Sequence, residues 1–188
     1  MKVAVGICGA SGVIYGIRLL EKLKFINVET HLIISSWGSY TIKEETNYTI
    51  EDVKKLSSIN YDEKDMTACI SSGSFSLDAM VLAPCSMRTL ASIACGLADN
   101  LIIRTADVCL KERRKLILLV RETPLSLIHL KNMVRVTKAG GIIMPPIPAF
   151  YTKPTSIDDL VNQTVWRIID QLGLPSPELK HWRGEIEQ

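Results

Sequence analysis

The sequence predicts one doubly wound α/β domain, Rossmann-like or flavodoxin-like, with three layers and a mostly parallel sheet. Three observations carry that prediction. Short apolar runs alternate with helix-periodic stretches along the whole chain. A glycine-punctuated turn joins the first strand to the first helix. Polar clusters fall at the C-terminal ends of the strands, which such a sheet gathers at one edge. The 188 residues suffice for one full core, with 175–188 as a polar tail that either lies loose or clamps a neighbouring subunit.

The chain opens on a buried strand, Val3 to Ile7, and a turn carrying Gly6, Gly9 and Gly12. This GxxGxxG spacing is not the GxGxxG of dinucleotide sites. It serves a tight turn with close helix packing, or a loop that turns backbone amides to a phosphate. Ser11 stands where it would cap the next helix or reach a ligand. Val13, Ile17, Leu20 and Leu23 then form one helical stripe. Glu29 to Ile34 reads as the second strand. Ser35 and Ser36 follow, with a ligand role and the cap of a helix from Trp37 to Glu44 both open to them. Glu44 and Glu45 end that helix against its dipole, a position disfavoured by about 0.3–1 kcal/mol, which hints at another task for one of them.

Residues 47–75 are the least regular, with a short helix at Ile50 to Leu56 and a small, flexible Ser71-Ser72-Gly73-Ser74. Ala79 to Ala83 is the third strand, and Pro84 to Thr89 leads into a helix ending at Cys95. Asp99 to Arg114 is a longer helix, capped by Asp99 or Asn100 and basic at its end. Arg104 and Lys111 share one face of it. They attract a phosphate or carboxylate, or form a solvated face with an Asp107–Lys111 pair. Lys115 to Val120 is the fourth strand. Arg121 and Glu122 follow, then Thr123 as cap and Pro124 as first residue of a helix to Thr137, ended by Gly140 and Gly141. Ile142 to Met144 is a fifth, short strand. The stretch Met144 to Pro154, stiffened by prolines and carrying Phe150 and Tyr151, reads as an interface or pocket wall. Ile157 to Leu172, capped by Ser156 and carrying Arg167, is the last helix. The tail holds Trp182 and Arg183.

Composition narrows the function classes. A net charge of +2, from 22 basic and 20 acidic residues, lacks the one-sided excess of a nucleic-acid binder. No apolar run reaches membrane-span length, and the glycine-broken start is not a signal peptide. A cytoplasmic protein is expected. Mean hydropathy of +0.17 suits strands buried on both faces and extensive subunit contacts. Five cysteines without CxxC spacing read as buried, reduced thiols, and His31, His129 and His181 lie far apart. No metal site is expected.

Read together, GASGVIYGIRLLEKL, SSGSF, APCSMRTLASIA, ADVCLKERRKLILLVRETPLSLIHL and IIMPPIPAFYTKP, with Arg167 beyond, resemble the UbiX-type family of flavin prenyltransferases from Lys2 to about Trp182. The resemblance implies a Rossmann-like flavin fold. It implies an enzyme that joins a dimethylallyl group from dimethylallyl phosphate to N5 and C6 of reduced FMN. The prenylated FMN then passes to a UbiD-type decarboxylase. The family's FMN site falls on Gly9, Ala10, Ser11, Ser35, Ser86, Met87, Arg88, Thr89 and Arg121. Its prenyl-phosphate site falls on Tyr151 and Arg167, with Arg104, Lys111 and Glu122 near the phosphate and Glu45 near the isoalloxazine.

Under that implication Ser11, Glu45, Lys111 and Glu122 are the catalytic candidates. Cationic side chains hold the phosphate charge without a metal. Glu122, crowded against phosphate, is expected to have a raised pKa and to protonate the leaving group. Some relatives carry a tryptophan before SGS, where Met66 stands here. The family commonly forms dodecamers with sites between subunits. Two other readings remain: a non-catalytic FMN-binding subunit that accompanies a decarboxylase, and a flavin-dependent cysteine decarboxylase. The second lacks its expected histidine and PxMNxxMW segment here.

Overall fold

Strand side chains alternate between the two faces of a sheet, and that alternation decides which helix layer each one meets. In the computed structural model, which describes residues 1–182, Arg183 and the rest of 183–188 lie outside the described residues. The central strands are β1 (Lys2–Ile7), β4 (Ala79–Cys85) and β5 (Lys115–Val120). Val3, Val5, Ile7, Val81, Ala83, Ile117 and Leu119 face one layer. Ala4, Met80, Leu82, Leu116, Leu118 and Val120 face the other. The first layer is α1 (Ile14–Phe25) and α7 (Ile157–Leu172), with Ile42 of α2 (Ser36–Glu45) and Val53 of α3 (Ile50–Lys54). The second is α4 (Met87–Cys95), α5 (Leu101–Lys111) and α6 (Leu127–Lys138).

With β2 (Glu29–Ile34), β3 (Ile59–Tyr61) and β6 (Ile142–Ile143), the sheet runs β3-β2-β1-β4-β5-β6. All five strand pairs are parallel. Of the two common doubly wound orders this is the dinucleotide-fold one, with its switch point between β1 and β4. The predicted stripe Val13, Ile17, Leu20 and Leu23 is wholly buried. Each such side chain stabilises the fold by about 1.5–3 kcal/mol. Gly16 belongs to the same packing, because a Cβ there would collide with the Ala83 carbonyl.

Several elements differ from the sequence expectation. β3 was not expected. It is a three-residue edge strand, mostly exposed, so it shows no buried alternation to read. The helix expected from Pro124 begins at Leu127. Ser126 accepts from the His129 N–H at 3.2 Å and His129 Nδ1 accepts from the Ser126 N–H at 3.2 Å, a reciprocal cap that fixes the start there. The long helix is shorter than expected, starting at its Asn100 cap and ending at Lys111. Cys8, Cys85 and Cys109 are buried as expected, but Cys69 and Cys95 are exposed. Among the described residues, no helix is long and apolar enough to cross a membrane.

Candidate active site

Four strand ends are stitched together at the C-terminal edge of the sheet. The Ser35 N–H donates to Ile7 O at 3.0 Å, Cys8 N–H to Pro84 O at 3.2 Å, and Arg121 N–H to Cys85 O at 3.2 Å. The ends of β2, β1, β4 and β5 therefore meet in one row. A cleft of about 260 Å³ opens above it, lined by Gly9, Ser35, Ser36, Trp37, Glu63, Ser86, Arg88, Thr89, Asn100, Ile102 and Ile103.

Two helices start at this cleft. Ser35 caps α2, its Oγ accepting from the Gly38 N–H at 2.9 Å. Ser86 caps α4, its Oγ accepting from the Thr89 N–H at 3.3 Å. Both serines thus fulfil the capping use that the sequence left open for Ser35. The remaining first-turn N–H groups have no intrahelical partner and point where an anion is stabilised. Ser86 and Thr89 hydroxyls stand 3.1 Å apart, and the Thr89 hydroxyl donates to Cys8 Sγ at 3.4 Å. Burial pushes the Cys8 and Cys85 thiols up, with the Thr89 hydrogen bond opposing at Cys8. Both stay protonated and poor nucleophiles. Gly9 leaves the loop open, since a Cβ there would overlap the Trp37 Cβ. Met87 opens α4, and Arg88 is exposed with Asp99 at 3.6 Å.

Glu45 has the second task suspected for it. Its Oε2 accepts from the N–H groups of Gly12 at 2.8 Å and Val13 at 3.3 Å, the start of α1. Ser11 therefore does not cap that helix, and its half-buried side chain stands in the loop between Ala10 and Gly12. Arg121 and Glu122 are exposed at the β5 end, where Glu122 Oε1 accepts from the Thr123 N–H at 3.0 Å.

The other candidates lie elsewhere in the same chain. Arg104 pairs with Asp107 at 2.8 Å and donates to Ser71 O at 3.0 Å. Lys111 pairs with Glu112, not Asp107, beside Gly73. It ends α5, and the turn Glu112 to Arg114 leads from it into the start of β5, at the sheet edge opposite the cleft. Arg167 pairs with Asp170 on α7. The Lys115 ammonium at the start of β5 donates to Gln171 O, which brings the end of α7 to that same opposite edge. Tyr151 donates to Lys180 O at 3.3 Å and meets Trp182 edge-on at 5.7 Å. Met66 is exposed and outside the cleft lining.

Sequence reasoning missed Trp37, Glu63 and Asn100 as lining residues. The signal for Glu63 was its place just after a strand end, which went unread because β3 did. Among the described residues, no cluster of three or more His, Cys, Asp or Glu could hold a metal.

A family model described as Flavoprotein matches residues 1–169. A probable UbiX-like flavin prenyltransferase of Bacillus subtilis (strain 168) is 55% identical over 188 residues, 100% of this chain and 92% of its own. The crystal structure of AnUbiX (PadA1) in complex with FMN and dimethylallyl pyrophosphate is 50% identical, with a TM-score of 0.96 over 97% of each chain. A dodecameric FMN-dependent Ubix-like decarboxylase from Escherichia coli O157:H7 is 49% identical, with a TM-score of 0.96 over 98% of this chain and 100% of that one.

Proposed function

This chain belongs to the flavoprotein family and, within it, to the UbiX-type flavin prenyltransferases, and we propose that its cleft holds reduced FMN for prenylation by dimethylallyl phosphate. One observation carries the placement: the starts of α2 and α4 open on one cleft at the β1–β4 switch point, beside a loop that Gly9 keeps free of side chain. Such a cleft fits a phosphate monoester, because backbone N–H groups, hydroxyls and Arg88 face it together.

When bound, reduced FMN supplies the nucleophilic N5 and C6 positions that receive the dimethylallyl group. The chain's own residues do the rest. Gly9, Ala10 and Ser11 line the flavin, while Ser35, Ser86 to Thr89 and Arg121 hold its phosphate and side chain. Ser11 and Glu45 move protons near N5, a role for which Glu45 is already anchored on the loop. Lys111, Arg104, Arg167 and Tyr151 hold the prenyl phosphate, and Glu122 delivers a proton to it as it departs. Trp37 adds an aromatic wall that keeps water from the allylic cation.

In one chain Lys111 and Arg167 lie away from the cleft. We propose that a second copy supplies them, in an assembly like that of the dodecameric relative. The unpartnered apolar side chains support this: Leu127, Ile128 and Val134 on α6, and Ile147 and Phe150 in the proline-rich segment, are all more than half exposed in the single chain. The product is handed to a UbiD-type decarboxylase. Lys111→Ala and Arg167→Ala are expected to raise the KM for dimethylallyl phosphate about tenfold or more, the loss of a charged hydrogen bond, with little change in FMN Kd. An equal loss of both would make these residues structural.

A further inference from the structure

The start of α2 already carries an anion. Glu63 Oε1 accepts from the Ser36 N–H at 2.8 Å, inside the cleft assigned above to the flavin phosphate. Ser36 is the first residue of a ten-residue helix, so its N–H has no intrahelical partner and favours a negative group. We infer that Glu63 is a built-in competitor for the flavin phosphate, holding the Ser36 amide in the free protein and yielding it when the phosphate enters. This rests on the placement of FMN proposed above.

Two further features fit a side chain with two positions. The Glu63 backbone is fixed, since its carbonyl accepts from the Leu101 N–H at 2.8 Å, so movement is confined to the side chain. Ser36 and Glu63 also line the adjoining cleft of about 460 Å³, whose wall includes Lys54 and Lys64. That cleft gives a displaced carboxylate both room and positive charge. A phosphate drawn to the α2 and α4 starts meets a like charge at close range, and the repulsion loosens its hold. The product carries the same phosphate as FMN. A carboxylate that retakes the Ser36 amide as the phosphate leaves therefore speeds release of the prenylated flavin to its recipient.

The test uses the full chain with FMN and with riboflavin, which lacks the phosphate. Dissociation constants and dissociation rates are measured for the parent protein, Glu63→Gln and Glu63→Ala. Gln keeps an acceptor for the Ser36 amide and removes only the charge, so its fold is retained even if Ala loosens the turn. Both variants are expected to bind FMN about tenfold tighter and release it correspondingly more slowly, with riboflavin unchanged. Unchanged or weaker FMN binding in Glu63→Gln overturns the inference, as does equal tightening toward riboflavin. Failure of the parent protein to bind FMN overturns the site placement itself, a result distinguishable from either.

Discussion

At the scale of single residues, the least expected arrangement is Glu45 serving two elements. It ends α2, where the dipole disfavours it, and closes the start of α1, where the dipole favours it. The sequence showed the unfavourable half, and only the fold shows the compensation, because the partners are more than thirty residues away. Glu45→Ala is expected to destabilise the protein by about 1 kcal/mol, the usual loss of a helix cap, and to weaken FMN binding by loosening Gly9 to Gly12. Glu45→Gln keeps an acceptor and is expected to recover most of the stability but not the proton transfer. Chemical denaturation and flavin alkylation, measured on the same two variants, separate the two roles.

At the scale of elements, legibility followed burial. β1 and β5 were readable because they are near-continuous apolar runs between turn signals, β2 because its apolar Leu32 to Ile34 runs into the polar Ser35 and Ser36, and α7 because Ser156 and Asp159 form a reciprocal cap at its start. β3 was not readable, since a three-residue edge strand with Ile59 and Asn60 exposed carries no pattern apart from its partner. β3 also supports a titrating core residue. His31, on β2, is fully buried, with Nδ1 2.9 Å from the Tyr61 hydroxyl and Nε2 3.1 Å from Glu29. Burial pushes its pKa below the ordinary histidine value, and the Glu29 hydrogen bond opposes this only partly.

The folded state therefore resists a proton that the unfolded chain accepts. This contribution is expected to be fully present above about pH 6.5, the unfolded value, and to be lost as pH falls from there through the folded pKa. His31→Gln should flatten that dependence in pH-resolved denaturation. An unchanged slope would assign it to other groups.

At the scale of the whole molecule, the gathering of polar strand ends at one edge was legible from chain order alone, because parallel crossovers leave the sheet little choice. What chain order cannot show is which candidates share a site. The resemblance puts Arg104, Lys111 and Arg167 at the prenyl-phosphate half of one site, yet Lys111 and Arg167 lie toward the opposite sheet edge of the same chain. If a second copy brings them to the cleft, two inactive variants should complement each other. Lys111→Ala mixed and reassembled with Glu122→Gln is expected to regain part of the activity when the two positions come from different chains. No recovery would place both in one chain. Replacing Leu127 or Ile128 by Glu is expected to shift the assembly to smaller species in light scattering, and to lower activity with it, since the site would lose its second half.

The most direct measurement is the mass of the flavin after the purified protein is incubated with FMN and dimethylallyl phosphate under anaerobic reduction. FMN heavier by one dimethylallyl group in place of hydrogen is expected, formed in amounts exceeding the protein. An unmodified flavin, with both ligands bound, would contradict that expectation.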